Sequence, residues 1–307
     1  MHLTSHAKNL RSQQDRGSLS NRAALQTVLT QPTPGVSHVP LQARLSLGFA
    51  DDEGTTRLVG REHFGPLLVQ KPLYPEGREV CQMIIIHPPG GVVGGDELEI
   101  VADVGACANA QITTPGATKW YKANGHVSHQ NIRLDVGAAG SLEWVPQETI
   151  FYDNAHVELD HCVLLEKDAS YISCEILCFG RTAFGESFDG GQIRQRTRIH
   201  REGKLVWFEQ LRLRGGSPAM KASLVLGENT VCATFIAVGK AVPAALLHEV
   251  RESAGAIANV GSFGISQSKQ IVVARYLGDS SETARRLMLH VWALLRPAML
   301  GRQLAVP

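Results

Sequence analysis

The sequence predicts an all-β body that carries two helices near its carboxyl end. From residue 41 onward, apolar and polar residues alternate; Ile132, Leu134 and Val136, for example, are separated by Arg133 and Asp135. A period of two places apolar side chains on one face of a strand and polar side chains on the other. The 30 Gly and 14 Pro residues interrupt these segments frequently. Short strands separated by turn residues are typical of an all-β fold.

Several strands can be assigned from this alternation. The segments 83–86, 97–101, 157–165, 171–179 and 270–277 each fit an extended conformation. Residues 192–214 predict a hairpin with Arg201, Glu202 and Gly203 at the turn.

Two segments have helical rather than strand character. Residues 242–253 begin with Pro243, whose missing N–H costs nothing in a first helical turn. Residues 280–295 start at Ser281 as the expected N-cap, and Pro297 is expected to end the helix. Leu287, Val291 and Leu294 recur every three or four residues, as on one helix face.

The composition excludes several classes of protein. The net charge of +1, from 30 basic and 29 acidic residues, provides no global attraction to nucleic acid or to anionic lipid. No run of 18 apolar residues predicts a membrane span, and no apolar h-region near the start predicts a secretory signal. Six scattered cysteines without a CxxC motif are typical of reduced thiols. We therefore expect a cytoplasmic protein.

The chain is expected to divide near residue 40. Residues 1–40 are rich in Ser, Gln and Pro and contain few apolar residues, which predicts a flexible tail. Their Arg-rich, acid-poor composition also allows an organelle transit peptide. No linker or fixed-period repeat interrupts residues 41–307, so a single β-rich domain is the simplest expectation.

Three glycine- or proline-containing phrases stand out: HPPGGVVGGD at 87–96, TTPGATKWYK at 113–122 and LEWVPQETIFYDNA at 142–155. The first follows a strand and precedes one. It therefore lacks the helix N-terminus on which a phosphate site depends. Its residues alone favour tight turns. In an extended second phrase, Trp120 and Tyr121 point to opposite faces.

No local cluster has metal-chelating geometry. His126 and His129 face opposite ways on a strand, as do His156 and His161. Cys174 and Cys178 share one face of a predicted strand, but four residues at a rise of roughly 3.3 Å each place them about 13 Å apart. Two thiolates that bind the same metal ion each form a metal–sulfur bond of about 2.3 Å, so their sulfurs must lie much closer together than this. A tight metal site would need ligands from distant segments or from a partner, and His161 is expected to be a core histidine.

A basic stripe lies on the predicted hairpin. Arg194, Arg196 and Arg198 share one face, and Arg212 and Arg214 return on the partner strand. This stripe could dock an acidic protein or bind nucleic acid, but the low net charge and the lack of interleaved aromatic residues weigh against nucleic acid. A solvated face with salt bridges is the main expectation.

The three phrases, together with GRTAFGESFDGGQIR at 180–194, resemble the UreD (UreH) family of urease accessory proteins. The family forms PPGG-x-x-GGD, TT-x-x-ATK, LEW-x-PQET and R-x-x-x-GE-x-F are all matched. The resemblance implies a β-helix-like stack of many short strands with two helices near the C-terminus. It also implies a non-enzymatic role in urease maturation, with UreF, UreG through UreF, and the urease apoprotein as partners.

By this resemblance, the chain serves as a scaffold and nickel conduit, with no tightly bound cofactor and with nickel in transit. The candidate residues of a weak nickel passage are Asp96, Glu148, Asp153 and Glu186. Two alternatives stay open. One is a β-helical carbohydrate-active enzyme that uses Glu186 with Asp189. The other is a β-rich interaction module that binds no metal.

Overall fold

The computed structural model describes residues 39–258 and 261–303. The described residues from Pro40 onward belong to one compact unit. The predicted flexible tail, residues 1–40, lies outside the described residues except for its last two positions.

The described residues form seventeen strands, three α-helices and one 3-10 turn. The strands are β1 Gln42–Asp52, β2 Thr55–Phe64, β3 Leu68–Val69, β4 Cys81–Ile86, β5 Glu97–Val104, β6 Asn109–Thr113, β7 Thr118–Trp120, β8 Ser128–Val136, β9 Ser141–Trp144, β10 Thr149–Phe151, β11 His156–Leu165, β12 Ser170–Phe179, β13 Gln192–Arg201, β14 Lys204–Arg214, β15 Val231–Val238, β16 Ser262–Ser268 and β17 Ile271–Gly278. The helices are α1 Pro218–Lys221, α2 Ala244–Ala258 and α3 Ser281–Leu300, and the 3-10 turn is Thr182–Phe184.

The strands from β4 to β13 wind into stacked coils. In a full coil the chain follows a strand of one sheet, crosses a short third face and returns along a strand of the opposite sheet. β4, β6, β9 and β12 stack in parallel on one side, and β5, β8, β11 and β13 stack in parallel on the other. β7 and β10 pair in parallel on the third face. This arrangement confirms the expected β-helix-like stack.

Antiparallel strands extend both sheets. The seven-stranded sheet has the order β14-β13-β11-β8-β5-β1-β2, and the main path of the ten-stranded sheet is β16-β17-β15-β12-β9-β6-β4-β3. β13 and β14 form the predicted hairpin. Strand β17 confirms the predicted strand at 270–277 to within one residue.

Apolar side chains fill the interior of the coils. The alternating residues of β8 behave as predicted, since Ile132, Leu134 and Val136 are buried while Arg133 is exposed. Ile132 is aligned with Ile100 of the preceding coil. Burying aligned apolar rows between the two sheets supplies the main driving force for stacking the coils.

A second apolar core lies between the ten-stranded sheet and the helices α2 and α3. Ile172, Ile176 and Cys178 point outward from β12 and join Val250 of α2 and Val291 of α3. β12 is therefore buried on both faces, which explains its almost continuous apolar sequence.

A buried ion cluster fastens α3 to the coils. Arg296, which is fully buried, donates from Nε to Glu143 Oε2 at 2.9 Å and from Nη2 to Glu143 Oε1 at 2.8 Å. Its Nη2 also donates to Glu76 Oε2 at 2.5 Å, and Trp292 Nε1 donates to Glu143 Oε2 at 2.7 Å. The carboxylate of Glu143 is thereby held by two residues of one helix.

The predicted helices are correct in position but differ at their ends. Helix α2 begins at Ala244, directly after Pro243, and extends five residues beyond the predicted end at 253. Helix α3 is capped by Ser280, whose Oγ accepts from Thr283 N at 3.1 Å, rather than by Ser281. Pro297 lies within α3, which continues to Leu300 because its last turn is buried at Met299. No helix among the described residues is long and apolar enough to cross a membrane.

Candidate functional site

The four phrases of the sequence stack on the third face of successive coils. Val92 of the first phrase forms a bridge with Trp120 of the second. Trp120 pairs with Phe151 of the third phrase, and Phe151 pairs with Phe179, which directly precedes the fourth. All four of these side chains are buried. An apolar column inside the third face therefore holds the polar turns of the four phrases together along one side of the molecule.

The glycines of the first phrase permit close approach between neighbouring coils. A Cβ on Gly91 would lie 2.4 Å from ring atoms of Tyr121, and a Cβ on Gly94 would lie 2.9 Å from the backbone nitrogen of Asn124. Both contacts are with the second coil. The first phrase is followed by strand β5 rather than a helix, as predicted, so it is a packing turn and not a phosphate loop.

Asp96 lies at the turn that leads into β5 and is almost fully buried. Its Oδ1 accepts from Leu41 N at 2.9 Å, and its Oδ2 accepts from Val93 N at 2.9 Å. These bonds hold the first described strand against the first phrase. Asp96 thus has a clear structural role, in addition to the role in a nickel passage expected from the sequence.

Glu148 lies at the opposite end of the third face, just before β10. Its Oε1 is 3.8 Å from Nη1 of Arg285 on α3. Its charge also raises the pKa of Cys178, although burial is the larger cause, and together they bring that pKa to about 12. Glu148 therefore lies between the coils and the helical layer, away from the turns that carry the other candidate acids.

Asp153 and Glu186 are brought together, although 33 residues separate them. Asp153 N donates to Glu186 Oε1 at 3.1 Å. The Asp153 carboxylate accepts from the backbone nitrogens of Asp189 and Gly190 at 2.9 and 2.8 Å. The two acids therefore join the third coil to the loop of the fourth.

Arg181 neutralises Glu186 of this pair and connects it to the aromatic surface. Its Nε and Nη2 donate to the two carboxylate oxygens of Glu186 at 3.1 and 2.5 Å, and this bidentate pair lowers the pKa of Glu186. The Arg181 guanidinium also stacks 4.2 Å from the ring centre of Tyr152. Phe184, in the adjacent 3-10 turn, is 81% exposed.

A cleft of about 260 Å³ opens between the first and second phrases. It is lined by His87, Gly90 and Gly91 of the first phrase, by residues 114–119 of the second, and by apolar residues of the interior. Gln130, at an inward position of β8 level with Leu98, also lines it. Burial lowers the pKa of His87, so its imidazole is neutral near pH 7, which is the form that binds metals.

Further inside the coils lies a polar group that the sequence did not reveal. His161 of β11 has its Nδ1 2.9 Å from Glu175 Oε1 of β12, and Gln195 of β13 donates to Glu175 Oε2 at 2.7 Å. His161 is buried, as expected of a core histidine, but its Nε2 has no hydrogen-bond partner. Glu175 lies on the same inward face of β12 as Tyr171 and Leu177. An acidic residue within an apolar strand was the feature of the sequence from which this group could have been predicted.

The other candidate clusters behave as solvated or isolated groups. Arg194 is paired with Glu158, and Arg196 and Arg198 are both paired with Asp160, so this part of the basic stripe is a salt-bridged face as expected. Within the described residues, no three His, Cys, Asp or Glu side chains are close enough to hold a metal ion.

Comparison with known proteins agrees with the family resemblance carried by the four phrases. A family model described as UreD urease accessory protein matches residues 41–307. A urease accessory protein UreD of Nitrosospira multiformis is 61% identical over 272 residues, covering 88% of this chain and 98% of that relative. A UreD of Janthinobacterium sp. is 58% identical, covering 87% and 90%, and a UreD 2 of Brucella anthropi is 42% identical, covering 86% and 96%. The chain belongs to the UreD family of urease accessory proteins.

Proposed function

We propose that this chain acts in urease maturation as a non-catalytic scaffold and nickel conduit between a UreF–UreG GTPase complex and the urease apoprotein. Nickel would be cargo that passes through the chain, with no cofactor held tightly. Membership in the family supports the maturation role. The partners and the passage are the part that needs a test.

The observation that carries this proposal is the convergence of Asp153 and Glu186 on the face built from the family phrases. A carboxylate is a suitable nickel ligand, and a passage requires ligands that bind the ion weakly enough to release it. Both acids are already occupied, Glu186 by Arg181 and Asp153 by backbone N–H groups. An arriving ion would have to compete with these partners, which favours transient binding.

The interior of the coils contains several polar groups that a passing nickel ion would contact in turn. The cleft between the first two phrases contains the neutral imidazole of His87 and reaches the inward-facing Gln130. The carboxylate of Glu175, held by His161 and Gln195, lies between later coils. Asp96 and Glu148 lie at separate places along the third face, so we propose them as separate contacts of the route and not as members of one site.

The test is urease activation in cells that express the structural subunits and the other accessory proteins. We expect Glu186→Gln to lower urease activity and its nickel content by about 10-fold, in the range observed when groups around metal ligands are removed. The substitution keeps the acceptor for Asp153 N but removes the charge.

Glu158→Gln is the matched control, because Glu158 is also paired with one arginine, Arg194, at 2.7 Å, but lies on the seven-stranded sheet. It should leave activation unchanged, and both variants should still co-purify UreF. Full activation without the chain would exclude the maturation role. Normal nickel loading by Glu186→Gln would exclude this carboxylate from the route but leave the scaffold role intact.

The geometry argues against the carbohydrate-active alternative. A general acid in glycoside hydrolysis needs a raised pKa, whereas Arg181 lowers the pKa of Glu186. Asp189, the other acid of that hypothesis, lies in a loop whose backbone is bound to Asp153. The metal-free interaction module differs from our proposal only in the nickel content that the experiment measures.

A further inference from the structure

A second cleft, of about 460 Å³, lies at the edge of the coils opposite the third face. Here tight turns connect strands of the seven-stranded sheet directly to strands of the ten-stranded sheet. The cleft is bounded by the turns at 139–141 and 168–170, the end of β13, the residues after β15 and the end of α3. None of the four family phrases lines it, so it is separate from the proposed nickel route.

Three cationic side chains from three different elements line this cleft: Arg201 at the end of β13, Lys240 after β15 and Arg302 after α3. The acid among the lining residues is Asp168. The cleft thus has an excess of positive charge in a protein whose net charge is only +1. A concave surface lined by one sign of charge concentrates ions of the opposite sign.

The two arginines have neutral partners. Arg201 Nη2 donates to Ala169 O at 2.7 Å, and Arg302 Nη1 donates to Ser141 Oγ at 3.2 Å. Within the described part of the chain, neither arginine nor Lys240 has a carboxylate oxygen within 4.0 Å. By contrast, the arginines 194, 196 and 198 on the outer sheet face are all paired with acids.

Burial increases the demand of this site for a counter-ion. Arg302 is partly buried, and burial is the main cause that lowers its pKa, although the charges of Glu143, Glu79 and Glu76 beyond the cleft wall act to raise it. A desolvated guanidinium with an incomplete set of acceptors binds oxyanions strongly, because its fork of N–H donors matches two oxygens at once. The hydroxyls of Ser141 and Ser170 provide further polar contacts along the wall.

We propose that this cleft binds a small oxyanion, either a phosphate-bearing or a carboxylate-bearing molecule. The anion would bridge the end of β13, the residues after β15 and the end of α3. Because these elements belong to the coils, the extended sheet and the helical layer, the bound anion would stabilise their mutual docking. The ligand would be regulatory or structural, since the cleft is separate from the third face.

The test measures thermal unfolding of the full chain at constant ionic strength, with increasing inorganic phosphate or citrate replacing chloride. We expect a saturable rise of the unfolding midpoint with at least one of the two anions, and the one with the lower apparent Kd identifies the chemical class. Lys240→Ala should weaken binding by about 10-fold, as expected for the loss of one charge-assisted contact. Lys240 is exposed, so its removal should not prevent folding.

Lys204→Ala is the matched control, because Lys204 is an exposed lysine on β14 outside the cleft. It should bind the anion as the unmodified chain does. Stabilisation that does not saturate, or that both lysine variants lose equally, would overturn the proposal, since general salt exclusion acts on the whole surface. Isothermal titration with the same anions provides an independent measure of Kd for all three proteins.

Discussion

At the residue scale, the buried pair of His161 and Glu175 gives the interior a charge that depends on pH. Burial by itself lowers the pKa of His161, but the Glu175 carboxylate, with a smaller contribution from Asp160, raises it. Burial raises the pKa of Glu175, yet His161, together with the hydrogen bond from Gln195, lowers it. The pair is therefore ionised inside a largely apolar stack, where each charge depends on the other.

This pair predicts a loss of stability at alkaline pH. The contribution of a histidine with a raised pKa is complete below its ordinary value of about 6.5 and disappears as pH rises through the folded-state value. The contribution of Glu175 is present above its ordinary pKa and disappears only in acid. We expect the difference in unfolding free energy between the unmodified chain and His161→Gln, measured in urea, to be largest near pH 6 and to shrink towards pH 9.

An exposed pair provides the comparison for this measurement. His129 Nδ1 lies 3.9 Å from Glu158 Oε2, and both side chains are 39% exposed. His129→Gln should change stability little at any of these pH values, because solvent screens the pair. A constant difference between the unmodified chain and His161→Gln across the pH range would contradict an ionised interior pair.

At the element scale, the cluster of Glu143, Glu76 and Arg296 explains how a helix can dock on a solenoid. Helix α3 packs apolar residues such as Leu287 and Leu295 against the ten-stranded sheet. Apolar contact alone tolerates sliding of the helix, whereas three directional hydrogen bonds to one carboxylate set its position. The acid of the phrase LEW thus belongs to the architecture of the protein.

We expect Glu143→Gln to destabilise the protein by about 3–5 kcal/mol, the cost of leaving a buried charge without its main partner. The free energy of unfolding in urea measures the effect, and hydrogen exchange should show that α3 loses protection first. Glu158→Gln breaks a surface pair and should cost about 1 kcal/mol or less. Equal effects of the two substitutions would show that the buried cluster does not hold the helix.

At the scale of the whole molecule, parallel stacking is continued by antiparallel strands. β2 lies beyond β1 at one end of the seven-stranded sheet, and β14 lies beyond β13 at the other. These added strands cover the hydrogen-bonding edges of the parallel stack, which would otherwise be free to pair with other chains. Each coil contacts mainly its neighbours, so the four phrases on the third face keep their spacing as long as the stack is intact.

The division of the chain near residue 40 yields a prediction at this scale. A protein that begins at residue 39 should unfold with the same midpoint and the same cooperativity as the full chain, because the compact unit and the family match begin at residues 40 and 41. Leu41, whose N–H binds Asp96, is retained in this protein. A midpoint lower by several degrees would show that residues 1–38 contribute to the folded domain.

Local pattern was sufficient to predict several of the strands and their buried faces. The alternation in β8, the hairpin of β13 and β14 and the positions of the two long helices all follow from residues close in sequence. The end of α3 was predicted wrongly, because Pro297 is tolerated where tertiary packing buries the last turn. The stacked architecture itself was expected from the resemblance and not from periodicity.

Contacts between coils could not be derived from local pattern. Asp153 meets Glu186, and Glu143 meets Arg296, across 33 and 153 residues respectively. The sequence by itself determined the strands, the turns, the family and the polar residues available for function, since these depend on short-range sterics and on the partition of side chains between water and core. Only the tertiary structure decided which polar residues meet, because the register between coils places them and no neighbouring residue encodes that register.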